Sequence, residues 1–285
     1  MVLRIRNVVL TLGLLLSLTS SVLASQPARR PYLALGDSVV FGFIDQAGNA
    51  YGNPENFIGF PDYVGQILSM RDFDAGCPGE TTGSFLSAAA PDDGCRLFKF
   101  LAPLHLPYLT TQSRFAQSFL VNHPTTRLVT LMLGANDLFL LQKACAGDPV
   151  CIANGLPEVL ATVSTNVANI LGQIRSTGYK GIIVVANYYS VDYSDVSGTQ
   201  ITQLLNQTLT ATAHAAGAVV ADVFTAFQIV ASNPLAGGAT CKAGLLNASS
   251  QDQFVCDVHP SQSGQKLIAR TIAAAFRAAV RGATE

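Results

Sequence analysis

Short, uninterrupted apolar runs alternate along the chain with longer segments in which apolar residues recur every three or four positions. The runs cover residues 32–35, 127–133, 181–186 and 218–223. Runs this continuous are typical of strands that are buried on both faces, as parallel strands are when helices cover both sides of their sheet. We therefore predict parallel strands at these four places.

The longer segments have helical spacing. Between the second and third predicted strands, apolar side chains repeat along one helix face and the pattern ends near Gly178. They are Val159, Leu160, Val163, Val167, Ile170, Leu171 and Ile174. Further amphipathic stretches cover residues 200–216 and 263–280. Alternating strands and helices predict an α/β fold, a three-layer α/β/α sandwich with a parallel central sheet and ligands bound beyond the carboxyl ends of its strands.

Composition agrees with a globular protein, since 49% of residues are hydrophobic and only 12% are charged. These values exclude an intrinsically disordered chain, which needs low hydrophobicity and high charge. The mean hydropathy of +0.35 raises the question of a membrane protein. Only the N-terminus approaches the length of a membrane span.

That N-terminal segment has the organisation of a secretory signal peptide. Arg4 and Arg6 precede an apolar run over residues 8–18, and Val22-Leu23-Ala24 fits a small-residue cleavage site. An uncleaved anchor helix is the alternative, but the apolar run is shorter than the roughly 20 residues that span a bilayer. We interpret residues 1–24 as a signal peptide, residues 25–285 as the mature domain, and the protein as secreted, extracellular or periplasmic, without a stable membrane anchor.

The predicted mature chain is weakly acidic. Removing Arg4 and Arg6 lowers the count of basic side chains from 17 to 15 and leaves all 18 acidic ones. The remaining basic residues form no cluster, whereas phosphate binding requires clustered Lys and Arg. We therefore do not expect nucleic acid as a partner, and the oligomeric state stays open.

Six cysteines lie in the predicted mature chain, and an exported protein meets an oxidising compartment. Six thiols allow 15 pairings, among which a sequence alone cannot choose. Their grouping favours three local disulfide bonds: Cys77 with Cys95, Cys145 with Cys151, and Cys241 with Cys256. The spacings do not match a CxxC zinc site and the chain has only 4 histidines, so no metal is expected.

Candidate chemistry follows the predicted strands. Ser38 of Gly36-Asp37-Ser38 comes directly after the first strand, where its hydroxyl can face the crevice or cap the next helix. Asn136 of Gly134-Ala135-Asn136-Asp137 follows the second, where its amide can donate to an oxyanion or begin an Asx turn. Between them, Gly79 stands in a predicted tight turn, Cys77-Pro78-Gly79-Glu80-Thr81-Thr82, that lets its N–H approach a ligand closely.

An acid and an imidazole share one predicted loop before the last helix, Asp257-Val258-His259-Pro260. A lone histidine beside proline is usually structural, but a carboxylate neighbour and a serine at another strand end favour catalysis. Two other groups are expected near the crevice. Asn187-Tyr188-Tyr189 follows the third strand, and the Phe-rich segments 43–60 and 88–107 either wall the cleft or are plain connecting loops.

In this order the four blocks resemble the SGNH hydrolases, also called GDSL esterases and lipases, and particularly their secreted, disulfide-bearing bacterial members. The resemblance runs from Gly36 to His259 and the closing helix. It implies a single flavodoxin-like domain over residues 25–285 and a serine-dependent ester hydrolase that forms an acyl-serine intermediate without metal or organic cofactor. The partner would be a small-molecule or lipid ester substrate.

Carried over by position, the resemblance makes Ser38 the nucleophile and His259 its base. The N–H groups of Ser38 and Gly79 and the side chain of Asn136 would form the oxyanion hole. These roles fit elementary chemistry, because a serine hydroxyl needs a neighbouring base and an imidazole titrates near 6.5. Asp257 would orient the histidine.

The acid departs from the family pattern. Family members commonly place it three residues before the histidine, whereas Asp257 is two before and Cys256 occupies the usual position. Main-chain carbonyls or Asp252 are substitutes.

The substrate is the open part of this interpretation. An apolar chain with phenylalanine-bearing loops favours lipid or medium-chain acyl esters. A polysaccharide O-deacetylase, an acyltransferase and a non-catalytic binding module on the same fold are the alternatives.

Overall fold

The computed structural model describes residues 29–248 and 255–282. The predicted signal peptide and Asp252 therefore lie outside the described residues. Within them the chain forms seven strands: β1 (Pro31–Gly36), β2 (Arg71–Asp74), β3 (Leu128–Met132), β4 (Ile182–Ala186), β5 (Val219–Ala221), β6 (Leu246–Ala248) and β7 (Cys256–Pro260).

Strands β1 to β5 form a parallel sheet in the order β2-β1-β3-β4-β5. This order is that of flavodoxin-like doubly wound sheets, so the predicted fold class is confirmed. Strands β1, β3, β4 and β5 coincide with the four apolar runs. Strand β2 was not predicted, because it is an edge strand whose sequence, Arg-Asp-Phe-Asp, carries charges where the sheet meets solvent.

Ten helices connect and cover the strands of the described chain. They are α1 (Ser38–Phe41), α2 (Phe60–Leu68), α3 (Thr82–Leu86), α4 (Cys95–Leu101), α5 (Gln112–Asn122), α6 (Ala135–Ala144), α7 (Pro149–Ser176), α8 (Val196–Ala215), α9 (Val223–Ala231) and α10 (Gln262–Gly282). Two short 3₁₀ helices, Gly48–Gly52 and Pro54–Asn56, lie between α1 and α2.

The helices form layers on the two faces of the sheet. Helix α10 packs against α2, α9 and strands β4 and β5, while α7 packs against α5, α6 and α8. Most of the predicted α7 stripe is buried, and the two members at its N-terminal end, Val159 and Leu160, are half-buried. In the described part of the chain, no helix has both the length and the apolar character needed to cross a bilayer.

Strands β6 and β7 pair antiparallel outside the central sheet. The prediction that Asp257 and His259 lie in a loop is therefore wrong, because both belong to β7. Strand β7 has five residues and no continuous apolar run, and it forms by pairing with residues about ten positions earlier.

Three disulfide bonds connect the pairs of cysteines that spacing favoured. Cys241–Cys256 joins the β6–β7 hairpin to the preceding segment, and the other two bonds are Cys77–Cys95 and Cys145–Cys151.

Candidate active site

Ser38 stands at a sharp turn between β1 and α1. Gly36 has a φ of 143°, and a Cβ there would lie 2.0 Å from the carbonyl oxygen of Met132 on the neighbouring strand. Only glycine tolerates that approach. Asp37 caps α1 by accepting the Val39 N–H at 2.9 Å, so the cap is Asp37 and the Ser38 hydroxyl is left for another partner.

That partner is His259. The Ser38 Oγ lies 3.0 Å from the His259 Nε2, although 221 positions separate them in the chain. Both side chains are largely buried, with Ser38 only 9% exposed. A hydroxyl at hydrogen-bond distance from an imidazole nitrogen is the arrangement in which a base activates a serine nucleophile.

Two main-chain donors are available after the adjacent strands β1 and β2. Among the described residues, the N–H groups of Ser38 and Gly79 have no hydrogen-bond acceptor. Gly79 has a φ of 82°, and a Cβ there would lie 2.4 Å from the carbonyl oxygen of Asp93. The turn therefore requires glycine, and it presents a main-chain donor that a neighbouring oxyanion can use.

Asn136 is the second residue of α6 and is buried. Its Nδ2 donates to the Glu80 carbonyl oxygen at 2.9 Å, which ties the amide to the Gly79 turn rather than to a local Asx turn. One amide hydrogen remains beyond this bond. Ser38, Gly79 and Asn136 thus follow β1, β2 and β3, which are adjacent strands of the sheet.

Buried polar side chains cross-brace these three segments. The Gln112 side chain accepts the Gly36 N–H at 2.6 Å and donates to the Gly36 carbonyl at 2.9 Å. The same amide donates to Glu80, whose carboxyl also accepts a bond from Ser84. Burial raises the pKa of Glu80 to about 7. Gln112 was not predicted from the sequence. It is fully buried and bonds to Gly36, which lies 76 positions earlier in the chain, and no local sequence pattern indicates such a contact.

Asp137 adds a further brace between α6 and α3. It accepts the Thr82 N–H at 2.9 Å and the Thr82 hydroxyl at 2.6 Å. Burial raises the pKa of this carboxyl. The side chain supports the turns around the site and does not contact Ser38 or His259.

Asp257 and His259 share one face of β7, since residues two apart in a strand point the same way. The Asp257 Oδ1 lies 3.5 Å from the His259 Nδ1, and this nitrogen is buried without a hydrogen-bond partner. The carboxylate instead accepts the His259 N–H at 2.6 Å and the Asp45 N–H at 3.0 Å. The structure therefore brings the predicted acid beside the imidazole without joining the two side chains.

Three other contacts hold the histidine strand. The Phe43 ring packs edge-on against the His259 ring, with centroids 4.9 Å apart. The Tyr189 hydroxyl donates to the Val258 carbonyl at 2.6 Å. The Cys241–Cys256 bond tethers the start of β7. Phe43 belongs to a segment expected at the cleft wall, whereas its contact with the imidazole had no sequence signal.

Asp37 is a buried carboxyl that directly precedes Ser38. Its Oδ2 accepts the Tyr188 hydroxyl at 2.5 Å and its Oδ1 accepts the Val39 N–H. Burial is the largest cause that raises the pKa of Asp37, to about 6. Asp37 therefore supports the turn and does not act on the His259 Nδ1.

Two clefts open from Ser38. The aromatic cleft, about 620 Å³, is walled by Phe43, Pro78, Gly79, Phe98 and Lys143. The α8 cleft, about 330 Å³, is walled by Tyr188, Tyr189, Val191, Ile201 and His259. Ser38, Asn136, Phe139, Gln142 and Val258 line both. The tyrosines after β4 thus face the crevice as expected, and both Phe-rich segments contribute a wall residue.

A cluster of potential metal ligands lies behind the Gly79 turn. Of the described residues, Cys77, Glu80 and Cys95 form the one group of His, Cys, Asp or Glu side chains close enough to share an ion. Both sulfurs belong to the Cys77–Cys95 disulfide. The group therefore offers no thiolate ligands.

Comparison with known proteins identifies a family whose sequence model covers the candidate site residues. The sequence model of a family described as "GDSL-like Lipase/Acylhydrolase family" matches residues 34–267, which include Ser38, Gly79, Asn136 and His259. No curated protein matches the chain.

Several solved structures are similar in fold. Axe2, an acetylxylan esterase from Geobacillus stearothermophilus, is 14% identical with a TM-score of 0.53, over 87% of this chain and 94% of its own. LAE5, an alpha/beta hydrolase enzyme from the metagenome of Lake Arreo, Spain, is 16% identical with a TM-score of 0.54, over 88% and 96%. A member of the lipolytic protein G-D-S-L family from Veillonella parvula is 15% identical with a TM-score of 0.51, over 87% and 98%.

Proposed function

Because the chain belongs to the GDSL-like lipase/acylhydrolase family, we propose that it is a secreted serine ester hydrolase of the carboxylesterase or lipase type. Residues 25–285 form its catalytic domain, and the reaction proceeds through an acyl-serine intermediate. The observation that carries the proposal is the 3.0 Å contact between Ser38 Oγ and His259 Nε2, next to the uncommitted N–H groups of Ser38 and Gly79.

The first half-reaction forms the acyl-enzyme. His259 Nε2 takes the proton of the Ser38 hydroxyl as Oγ bonds to the ester carbonyl carbon. The resulting oxyanion is stabilised by the Ser38 N–H, the Gly79 N–H and the Asn136 amide. Such preorganised donors each contribute about 100- to 1000-fold in rate. The bond to the alcohol oxygen then breaks, and this oxygen leaves with the proton held by His259.

The second half-reaction releases the acid. His259 Nε2 takes a proton from water as the water oxygen bonds to the acyl carbon. The bond to Ser38 Oγ breaks and Oγ regains the proton. An alcohol in place of water would make the product a new ester, so acyl transfer uses the same residues.

Asp257 supports the imidazolium through its charge. Its Oδ1 stands 3.5 Å from Nδ1, a distance at which an opposite charge favours the protonated ring. Two main-chain N–H groups already hold this carboxylate in place.

Secretion is supported by the signal-like residues 1–24 and by three disulfide bonds, which persist in oxidising compartments. A polysaccharide O-deacetylase is the second candidate, and acetylxylan esterase is the described activity of a protein with this fold. A non-catalytic binding module is disfavoured, because it has no need for a serine within hydrogen-bond reach of a histidine.

The test is hydrolysis of p-nitrophenyl esters from acetate to palmitate by residues 25–285, with Ser38→Ala as the control. We expect activity that Ser38→Ala abolishes. A best chain length of six or more carbons, roughly, would favour lipid-like esters, and restriction to acetate would favour the deacetylase. Failure of an organophosphonate to label Ser38 would contradict the serine mechanism.

A further inference from the structure

The aromatic cleft and the α8 cleft share Ser38 and Asn136, but each is lined by one proposed catalytic group that the other lacks. Gly79 lines the aromatic cleft and not the α8 cleft. His259 lines the α8 cleft and not the aromatic cleft. Gly79 and the proposed base therefore face different spaces, while Ser38 and Asn136 border both.

The chemistry of ester cleavage assigns those spaces. In the tetrahedral intermediate the acyl carbon carries Ser38 Oγ, the oxyanion, the acyl chain and the alcohol oxygen. The alcohol oxygen must lie within hydrogen-bond reach of His259 Nε2 to receive its proton. Since the imidazole faces the α8 cleft, the alcohol occupies that cleft. The acyl chain then extends past Gly79 into the aromatic cleft.

We propose that the aromatic cleft binds the acyl chain and that the α8 cleft binds the alcohol, so the substrate is an ester with an apolar acyl chain longer than acetyl. This inference rests on the proposed function and specifies its substrate class. Phe98 is the main specificity residue on the acyl side, and Ile201 is its counterpart on the alcohol side.

The acyl side has a wall suited to a hydrocarbon chain. The Phe98 ring packs edge-on against Phe41 and Phe43, with centroids 5.2 and 5.9 Å apart, and is held in position by them. Helix α4, which carries Phe98, begins at Cys95 of the Cys77–Cys95 bond. Burying apolar chain against such a wall is favourable in proportion to the area removed from water.

The charges on the acyl side do not select for a charged chain. Lys143, the cation in the cleft lining, forms an ion pair with Asp93, which lines the same cleft. The two charges offset each other, so the wall around Phe98 is neutral as well as apolar. An alkyl chain fits this surface better than a short or ionised acyl group.

The alcohol side has a different composition. Ile201 and Val191 supply apolar surface, while Ser190, Asp195 and Thr202 supply polar groups. Ile201 is half-buried on α8 and Val191 is 47% exposed. A cleft that combines both surfaces suits an alcohol with a short carbon skeleton and a further hydroxyl group.

The experiment compares two matched truncations, Phe98→Ala and Ile201→Ala, each of which shortens one half-buried helical side chain on one cleft. One substrate series varies the acyl chain from acetate to octanoate on a constant p-nitrophenol. The other varies the alcohol from ethanol to hexanol and glycerol on a constant butyrate. The measured quantities are the ratios of kcat/KM within each series, because a ratio cancels a general loss of active enzyme.

Phe98→Ala should lower the ratio of octanoate to acetate by about tenfold, the scale of lost apolar contact, and leave the alcohol ratios within about twofold. Ile201→Ala should change the alcohol ratios and leave the acyl ratio within about twofold. Deacylation gives an independent readout, since the alcohol has left by then. Phe98→Ala should change the rate of octanoyl-enzyme breakdown, and Ile201→Ala should not.

The assignment would be overturned if Phe98→Ala changed the alcohol ratios and Ile201→Ala changed the acyl ratio. It would also be overturned if neither variant changed either set of kcat/KM ratios. If thermal unfolding shows that Phe98→Ala does not fold, Phe98→Leu replaces it in the same comparison. Wild-type activity that Ser38→Ala abolishes secures the proposed function separately. A chain whose activity does not depend on Ser38 would overturn both.

Discussion

The two halves of the site are built in different ways. The nucleophile side, defined by Ser38, Gly79 and Asn136, follows three adjacent strands of the central sheet. The histidine side, defined by Asp257 and His259, lies on a two-stranded hairpin outside that sheet. One side is therefore positioned by the main core of the fold, and the other is positioned by contacts that reach across to it.

The bracing of the two sides differs accordingly. Buried side chains that bond to main chain, above all Gln112 on Gly36, hold the nucleophile side. The histidine side depends on one disulfide bond, the Tyr189 hydroxyl, the Asp45 N–H and the Phe43 ring. Local opening draws on regions with few buried contacts. We therefore expect His259 to lose its position before Ser38, Gly79 and Asn136 do.

The largest loss of activity should come from removing the reactive side chain on either side of the site. Ser38→Ala and His259→Ala should each lower kcat by at least about 1000-fold, because each removes one member of a pair that acts as a unit. The double variant should be hardly less active than either single one. Steady-state kinetics of all three against the wild type checks this, and additive losses would contradict the pairing.

The next test compares one supporting residue from each side. Asn136→Ala should lower kcat by about 100- to 1000-fold, since it removes an oxyanion donor. Asp257→Asn should cost less, about 10- to 100-fold, because Asp257 makes no hydrogen bond to the Nδ1 and acts through its charge. Circular dichroism of both variants controls for misfolding. A larger loss for Asp257→Asn would mean that the carboxylate bonds to the ring during catalysis.

Disulfide removal tests the difference in bracing directly. Replacing Cys241 and Cys256 by serine should lower activity severalfold while cooperative unfolding persists, because only the hairpin is released. Replacing Cys77 and Cys95 opens the buried Glu80 cluster and should lower the melting temperature along with activity. Activity and thermal unfolding measured on both double variants decide this. Parallel losses of activity and stability in the Cys241 and Cys256 variant would remove the distinction between the sides.

The smallest expected effect is a change in how folding stability depends on pH, and it arises from Asp37 on the nucleophile side. The pKa of Asp37 is about 6 in the folded chain, against an ordinary value of 3.8. The folded state therefore binds this proton more tightly, so stability falls as pH rises between these values and is constant above them. In Asp37→Asn the side-chain oxygen can still accept the Val39 N–H, and the amide can still bond to Tyr188. The free energy of unfolding of this variant should therefore decline by about 1 to 3 kcal/mol less than that of the wild type over this pH range.

Urea unfolding of both proteins from pH 4 to pH 8 measures the decline. Burial raises the pKa of Asp74 and of Glu80 to about 7 as well, so both proteins retain a common slope from these two groups. Only the difference between wild type and Asp37→Asn reports on Asp37. If the free energy of unfolding has the same pH dependence in both proteins, the pKa of Asp37 is not raised in the folded state.

Local sequence was informative wherever burial leaves a periodic pattern. The apolar runs at β1, β3, β4 and β5 and the stripe on α7 indicated their elements, because side chains buried on both faces or on one face repeat at the strand or helix period. The charged edge strand β2 and the half-buried hairpin strand β7 carry no such pattern. Their formation depends on hydrogen bonds to partners elsewhere in the chain.

Chemistry at the ends of the strands was also accessible from sequence, since Ser38, Gly79, Asn136 and His259 stand in recognisable short blocks. The residue types that are available and the order in which they occur can be read directly from the sequence. Three contacts depend on the tertiary fold: Ser38 meets His259, Gln112 bonds to Gly36, and Asp257 lies near the imidazole without bonding to it. The reason is physical, because contacts between distant residues depend on how the elements pack, and a change of half an ångström separates a hydrogen bond from a charge interaction.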